Sequence, residues 1–233
     1  PEQKSFTQMC RQEVYYSVSP QESTLDKTYL SLSYAIGSST DPFLYLAFQI
    51  LQYLLLGNPA APLKKALLEA GIGKDVFGSY QNYLLQPSFS IVVKDANEKD
   101  ENSFLEIVQN TLRELVSKGI DKRLAEAAIN HREFKLREAD FGSIPKGLVY
   151  GIQCMDSWLY GEDPTIHLRF ESTLEEIRKA LTEPLFEQLI EKYLLNNTHC
   201  AMVMVKPKPG LAEEKDREVY EMLQAYKAEL SEL

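Results

Sequence analysis

The sequence predicts an α+β fold in which helices pack on one face of a mainly antiparallel sheet. Three observations predict it: short segments that alternate apolar and polar residues, longer segments with helical spacing, and partial segregation of the two kinds along the chain. Two candidate strands within residues 75–94 follow each other as in a hairpin, which favours antiparallel pairing over a doubly wound parallel sheet. With 44% hydrophobic residues, the 233-residue chain can bury a substantial core.

The predicted strands have the period-two pattern of a sheet with one buried face. The clearest is residues 27–37, where Leu30, Leu32 and Tyr34 share one face and mainly serines occupy the other. The other predicted strands are residues 13–19, 75–84, 86–95 and 198–205. The proline-rich residues 206–210 are expected to end the last strand.

The predicted helices have apolar residues at helical spacing between recognisable start and stop signals. Asp41 is the expected N-cap of the first helix and Pro42 its first residue, where the missing N–H costs nothing. This helix stops at Gly57, and a proline-rich corner leads to a second short helix. The remaining predicted helices are residues 98–118, 121–139, 143–160, 174–181 and 184–195.

Two regions are expected. Residues 1–206 are predicted to form the α+β domain, and residues 207–233 to begin a charged helical linker to a further domain. The chain starts on Pro1 without an initiator Met or a signal-peptide pattern, and its last helix lacks a stop signal. We interpret the sequence as a piece of a longer polypeptide.

The composition argues against some partners. A net charge of −9 without a Lys/Arg cluster argues against nucleic acid and anionic lipid, although cationic peptides remain electrostatically acceptable. The longest apolar run, residues 43–56, is interrupted by Gln49 and Gln52 and falls short of the roughly 20 residues that cross a membrane. No membrane partner is therefore expected.

The cysteines indicate the compartment. Cys10, Cys154 and Cys200 are an odd number at wide spacing, unlike a disulfide framework or a zinc ribbon. We therefore expect the protein in a reducing compartment, either the cytoplasm or the matrix of an organelle.

No catalytic or metal-binding motif occurs in the sequence. His131, His167 and His199 do not belong to H-E-x-x-H or H-x-x-E-H, and His131 is expected to be a surface or packing residue. His199 and Cys200 are neighbours on a strand, so their side chains point to opposite faces. G-x-S-x-G, a phosphate-binding loop and a dinucleotide fingerprint are also missing. We predict no catalytic residue and no metal ligand.

Four short segments resemble the presequence protease family, zinc metallopeptidases of the insulinase and pitrilysin superfamily, in their order and separation. They are LLLGNPAAPLKKALLEAGIG, YLLQPSFSI, FKLREADFGSIPKGL and SWLYGEDP. The resemblance covers nearly the whole chain and points to the second, non-catalytic domain of such a protease, a metallopeptidase half-domain. It implies a parent with four related α+β domains around a chamber. It also implies that an H-x-x-E-H helix in the parent's first domain binds the zinc. That domain is outside this chain, and this chain is expected to bind no zinc.

The resemblance also suggests a history for the first helix. Superposing its corner at Gly57 on the glycine corner after the family's metal helix places Phe48, Leu51 and Gln52 where His, Glu and His would lie. Phenylalanine and leucine cannot ligate zinc. We interpret the helix as a former metal helix that now belongs to the core.

The function that the resemblance implies is that of a fragment of a zinc-dependent peptidase that degrades unstructured peptides. The fragment would contact the other domains of its polypeptide, form part of the chamber wall and anchor extended peptides. Related insulin-degrading enzymes hold one peptide end on an edge strand, and the matching residues here are Phe77, Gly78, Ser79 and Tyr80. The alternative for these residues is that Gly78 marks a bulge or a twist of the strand and Phe77 packs in the core. The alternative for the chain is a free-standing, metal-free scaffold or peptide-binding domain.

Overall fold

One five-stranded sheet organises the protein. The structure is a computed structural model that describes residues 3–230. The strands are β1 (Cys10–Val18), β2 (Thr28–Ala35), β3 (Asp75–Gln81), β4 (Ser88–Ala96) and β5 (Cys200–Pro209). Their order across the sheet is β1-β5-β2-β4-β3. Every neighbouring pair is antiparallel except β1 and β5, which are parallel, so the predicted mainly antiparallel sheet is confirmed.

Helices occupy the connections from β2 to β3 and from β4 to β5, and one more helix follows β5. They are α1 (Pro42–Leu56), α2 (Pro62–Glu69), α3 (Glu101–Lys118), α4 (Lys122–Glu138), α5 (Lys146–Trp158), α6 (Phe170–Ala180), α7 (Leu185–Ile190) and α8 (Leu211–Glu229). A 3₁₀ turn, Glu98–Asp100, precedes α3, and a π-helical turn, Glu191–Leu195, follows α7. Helix α1 begins as predicted, because the carboxylate of Asp41 accepts hydrogen bonds from the N–H groups of Phe43 and Leu44 at 2.9 and 3.0 Å.

The core lies between one face of the sheet and the helices. Leu30 and Leu32 on β2 and Ile91 on β4 are buried on that face. Phe48 of α1 is fully buried, and its ring contacts that of Phe89 at a centroid distance of 5.8 Å. Helices α4 and α6 pack on α1. The period-two pattern thus correctly predicted which face is covered.

The other sheet face is lined with small hydroxyl groups. Ser31 and Ser33 on β2 and Ser90 on β4 are half-buried there, and the hydroxyl oxygens of Ser33 and Ser90 lie 2.7 Å apart. This surface is called the open sheet face below. Within residues 3–230, the structure contains no helix that could span a membrane.

Two expectations about the strands were wrong. Strand β1 has no buried residue, because it lies at an edge of the sheet, where neither face is well covered. Strand β5 does not end at residue 206 but continues to Pro209, paired only with β1 beyond Val205. Pro207 and Pro209 are two residues apart, so their backbone nitrogens point to the same side of the strand. Both can point away from β1, where no N–H group is needed for pairing.

Candidate functional site: the outer edge of strand β3

The residues at the expected metal positions of α1 do not form a metal site. Phe48 and Leu51 are fully buried in the core, and Gln52 is half-buried. The side-chain amide nitrogen of Gln52 donates a hydrogen bond to the carbonyl oxygen of Gly78 at 2.8 Å. Among the described residues there is no cluster of three His, Cys, Asp or Glu side chains that could hold a metal ion. The helix instead contributes packing and one contact to the sheet edge.

Strand β3 is the terminal strand of the sheet, and within residues 3–230 it pairs only with β4. The pairing register is unbroken from Asp75 opposite Lys94 to Gln81 opposite Ser88, so Gly78 does not mark a bulge. The side chain of Phe77 is 40% exposed and does not pack in the core. The alternative of a bulge with a core phenylalanine is therefore wrong.

Gly78 is required by the close approach of α1. A Cβ atom at this position would lie 2.6 Å from Cδ1 of Leu56 and 3.1 Å from Cγ of Gln52. Leu56 is itself buried. The glycine therefore allows the helix to lie against the strand, and this packing role is independent of any peptide.

The direction of the β4 backbone groups follows from the neighbouring pair. The N–H of Ile36 donates to the carbonyl of Pro87 at 2.7 Å, which continues the β2–β4 ladder by one residue pair. In an antiparallel ladder, successive residues direct their N–H and C=O groups alternately to one neighbour and the other. Ser88, Ser90 and Val92 therefore direct theirs to β3.

The same alternation identifies the free groups of β3. Phe77 and Ser79 stand opposite Val92 and Ser90, so their backbone groups bond to β4. Their side chains lie on the open sheet face. The backbone groups of Gly78 and Tyr80, by contrast, point away from the sheet. The four residues predicted to bind peptide thus divide into two that offer backbone groups and two that offer side chains.

Only part of this edge is occupied by the protein itself. Gln52 takes the carbonyl of Gly78, and the N–H of Val76 donates to the carboxylate of Asp75 at 2.8 Å. The N–H groups of Gly78 and Tyr80 and the carbonyl of Tyr80 face outward. The side chain of Tyr80 packs on the ring of Phe48, and burial raises the pKa of its hydroxyl, with Asp41 and Tyr193 adding to the shift. Tyr80 therefore contributes its backbone and not an ionisable side chain.

The histidines have separate aromatic partners. His131 is exposed and stacks on Tyr53 with centroids 4.0 Å apart, which fits the expected packing role. His167 is buried and stacks on Tyr45 at 3.6 Å, and its burial lowers its pKa. His199 lies edge-on to a phenylalanine ring.

The contact between Gln52 and Gly78 was not predicted from the sequence. Gln52 is one of two amides in an otherwise apolar helix, and an amide among buried residues needs a partner. That signal was available, but the partner lies 26 residues away on a strand whose position follows only from the fold.

The fold defines a class of protein, an α+β domain with helices packed on one face of a mainly antiparallel sheet, in which the first helix, α1, lies in the core. The family profile described as "Peptidase M16 inactive domain" matches residues 3–131, more than half of the chain. The chain belongs to this family.

Curated relatives support the expected resemblance. The chain is 47% identical over 231 residues to Protein HypA of Clostridium perfringens, covering 99% of the chain and 24% of that protein. It is 36% identical over 192 residues to Presequence protease 1, chloroplastic/mitochondrial, of Arabidopsis thaliana, covering 80% of the chain and 18% of that protein. The chain thus spans about a quarter of the length of these relatives or less.

Solved structures share the fold. An inactive peptidase domain from Bordetella parapertussis superposes with a TM-score of 0.62 at 17% identity, covering 78% of this chain and 92% of that one. The peptidase M16 inactive domain from Pseudomonas fluorescens gives a TM-score of 0.55 at 16% identity, covering 89% and 47% of the two chains. The predicted α+β half-domain architecture is confirmed.

Proposed function

We propose that the chain is a non-catalytic domain of a zinc-dependent peptidase that degrades unstructured peptides. The family match and the presequence protease relatives support this proposal. The zinc would be held by another domain of the same polypeptide, since Phe48 and Leu51 supply only hydrocarbon at the expected metal positions. The domain would act in a reducing compartment, the cytoplasm or an organelle matrix, which suits its three free cysteines.

The proposed task of the domain is to anchor one end of the substrate on the outer edge of β3. The observation that carries this proposal is the set of outward backbone groups at Gly78 and Tyr80. An extended peptide would pair with them as an added strand, and because backbone groups are common to all residues, the anchor would tolerate many sequences. The exposed ring of Phe77 would add an apolar contact beside the peptide.

The open sheet face is the proposed wall of the chamber. Its serines, among them Ser31, Ser33 and Ser90, are uncharged hydroxyl groups that can contact a passing peptide weakly. The net charge of −9 favours cationic peptides over anionic ones. Weak contacts on the wall and backbone pairing at the edge would let the domain retain a peptide without selecting its sequence.

The test of the anchor is a pair of substitutions in the full-length parent. Gly78→Pro and Gly78→Ala both place a Cβ atom against Leu56, but only proline removes the outward N–H. Loss of one backbone hydrogen bond, about 0.5–1.5 kcal/mol, predicts a KM roughly two- to tenfold higher for the proline variant than for the alanine variant. We expect kcat to be unchanged, because the bond forms equally with bound substrate and transition state.

Equal KM values for the two folded variants would refute the anchor. A purified 233-residue chain should neither hydrolyse peptides nor bind zinc stoichiometrically. Chelator-sensitive cleavage by that chain alone would contradict the assignment of a non-catalytic role.

A further inference from the structure

A groove beside α1 has no role in the proposals above. It lies between α4, α5 and the segment of residues 163–170, reaches the β3–β4 connection at Asn82 and Tyr83, and has a volume of about 630 Å³. Most of its lining is apolar, with Phe141, Tyr150 and Phe170 among the larger side chains. This volume can hold several side chains of a docked segment.

A cation without a partner lies in this groove. The Nε atom of Arg132 is buried without a hydrogen bond, and within residues 3–230 its guanidinium group forms no ion pair. Arg132 as a whole is half-buried, and this burial lowers its pKa. An arginine stays protonated even so, and a half-buried charge without a counter-ion attracts one more strongly than a fully hydrated charge does. A carboxylate group placed next to the guanidinium group of Arg132 would supply the counter-ion.

The two acidic groups that line the groove accept hydrogen bonds from residues other than Arg132. Asp156 accepts a hydrogen bond from the hydroxyl of Tyr45 at 2.8 Å, and burial raises its pKa. Asp140 accepts a hydrogen bond from the N–H of Gly142 at 2.9 Å. The second cation of the groove, Lys135, already pairs with a glutamate of its own helix. Arg132 is thus the unsatisfied charge of the groove.

Helix α5 carries an exposed apolar stripe beside the groove. Leu148, Ile152, Met155 and Trp158 are 55%, 59%, 37% and 59% exposed, and their spacing places them on one side of the helix. A row of exposed large side chains next to a groove is typical of a surface that another protein segment covers.

We propose that a carboxylate-bearing segment of the parent polypeptide, outside these 233 residues, lies in this groove, with apolar side chains on the α5 stripe and an Asp or Glu on Arg132. The inference rests on the proposed function in one respect, that the chain is a domain of a longer protein. Relatives are about four times as long as the chain, so such a segment has room to exist. A free acidic peptide is a poorer occupant, because the net charge of −9 repels it while a tethered segment is present at high effective concentration.

Site-specific photo-crosslinking in the full-length parent tests the proposal without altering Arg132. A benzophenone side chain replaces Ile152, and a matched control replaces Leu25, which is 68% exposed in the connection between β1 and β2. We expect the probe at Ile152, but not at Leu25, to form an intramolecular cross-link to a segment beyond residues 1–233, with unchanged yield when substrate peptide is added. Cross-links to the added peptide, to a second copy of the protein, or to no segment beyond this chain would overturn the proposal.

A charge exchange then tests the role of Arg132. With the probe at position 152, Arg132→Glu should lower the cross-link yield by about tenfold or more, since breaking a buried charge pair weakens such contacts by at least that factor. Replacing the acidic residue of the cross-linked segment by arginine should restore the yield, and Arg113→Gln on exposed α3 should leave it unchanged. Failure of the exchange to restore the cross-link would remove the charge pair from the proposal. This readout needs neither zinc nor peptide hydrolysis, so a failed anchor at β3 would leave it unaffected.

Discussion

The contact between α1 and β3 predicts that Gly78→Ala destabilises the protein. The added Cβ atom would lie 2.6 Å from Cδ1 of Leu56, whereas carbon atoms in van der Waals contact lie about 3.5–4.0 Å apart. About 1 Å of overlap must therefore be relieved. Because Leu56 is only 4% exposed, its side chain cannot turn into solvent, so either its Cδ1 methyl shifts against its core neighbours or the edge strand moves.

The expected size of the effect follows from two opposing terms. Overpacking a core site costs about 1–3 kcal/mol, while replacing glycine by alanine restricts the unfolded chain and returns about 0.4–1 kcal/mol. The midpoints of the two ranges leave a net loss of about 1 kcal/mol, which for a domain of this size lowers the melting temperature by about 2–4 °C.

The assay is thermal unfolding of the 233-residue chain, followed by circular dichroism. The matched control is Gly151→Ala in the middle of α5, where an added Cβ atom meets no neighbour within 4 Å. Helix propensity predicts that this second substitution stabilises the chain by about 0.5–1 kcal/mol. Equal stabilisation by both substitutions would refute the close packing of α1 on β3.

Three further predictions concern polar residues in or beside α1. Gln52→Leu should destabilise the chain by about 0.5–1.5 kcal/mol through loss of its bond to Gly78, whereas Gln49→Leu should stabilise it, because the amide of Gln49 is buried without a partner. Denaturant unfolding checks both, and a loss of stability in the Gln49 variant would contradict the second. Burial raises the pKa of the Asp156 carboxyl group above its ordinary 3.8, so the folded state binds the carboxyl proton more tightly than the unfolded chain does. The stability of the folded state therefore falls as the pH rises above about 4 and the carboxyl group ionises. Asp156→Asn should therefore gain stability over the parent sequence from about pH 4 towards neutrality, and a constant difference across this range would count against the shift.

Local chemistry explains why much of the fold could be predicted. Asp41 and Pro42 define the start of α1 by capping and by proline geometry, which depend only on neighbouring residues. The alternation in β2 and β4 identified the buried face, since side-chain direction in a strand depends only on residue parity.

The wrong expectations and the missed contacts depend on which strands become neighbours. β1 was expected to have a buried face, but its position at the sheet edge is a property of the strand order. Strand β5 can include Pro207 and Pro209 because only β1 pairs with it there. The residue pattern of the segment does not indicate how many neighbours it has. The same holds for Gly78: its sequence context suggested a bulge or a peptide contact, and the fold adds the approach of α1 as its structural reason.

Hydrogen exchange at single-residue resolution tests the central claim most directly, in the full-length parent freed of zinc so that a bound peptide stays intact. The account predicts that an extended peptide slows exchange at the N–H groups of Gly78 and Tyr80, which face outward. The N–H groups of Phe77 and Ser79, already bonded to β4, should exchange at unchanged rates. Peptide binding without protection at Gly78 and Tyr80 would contradict the claim that this domain holds substrate on the edge of its sheet.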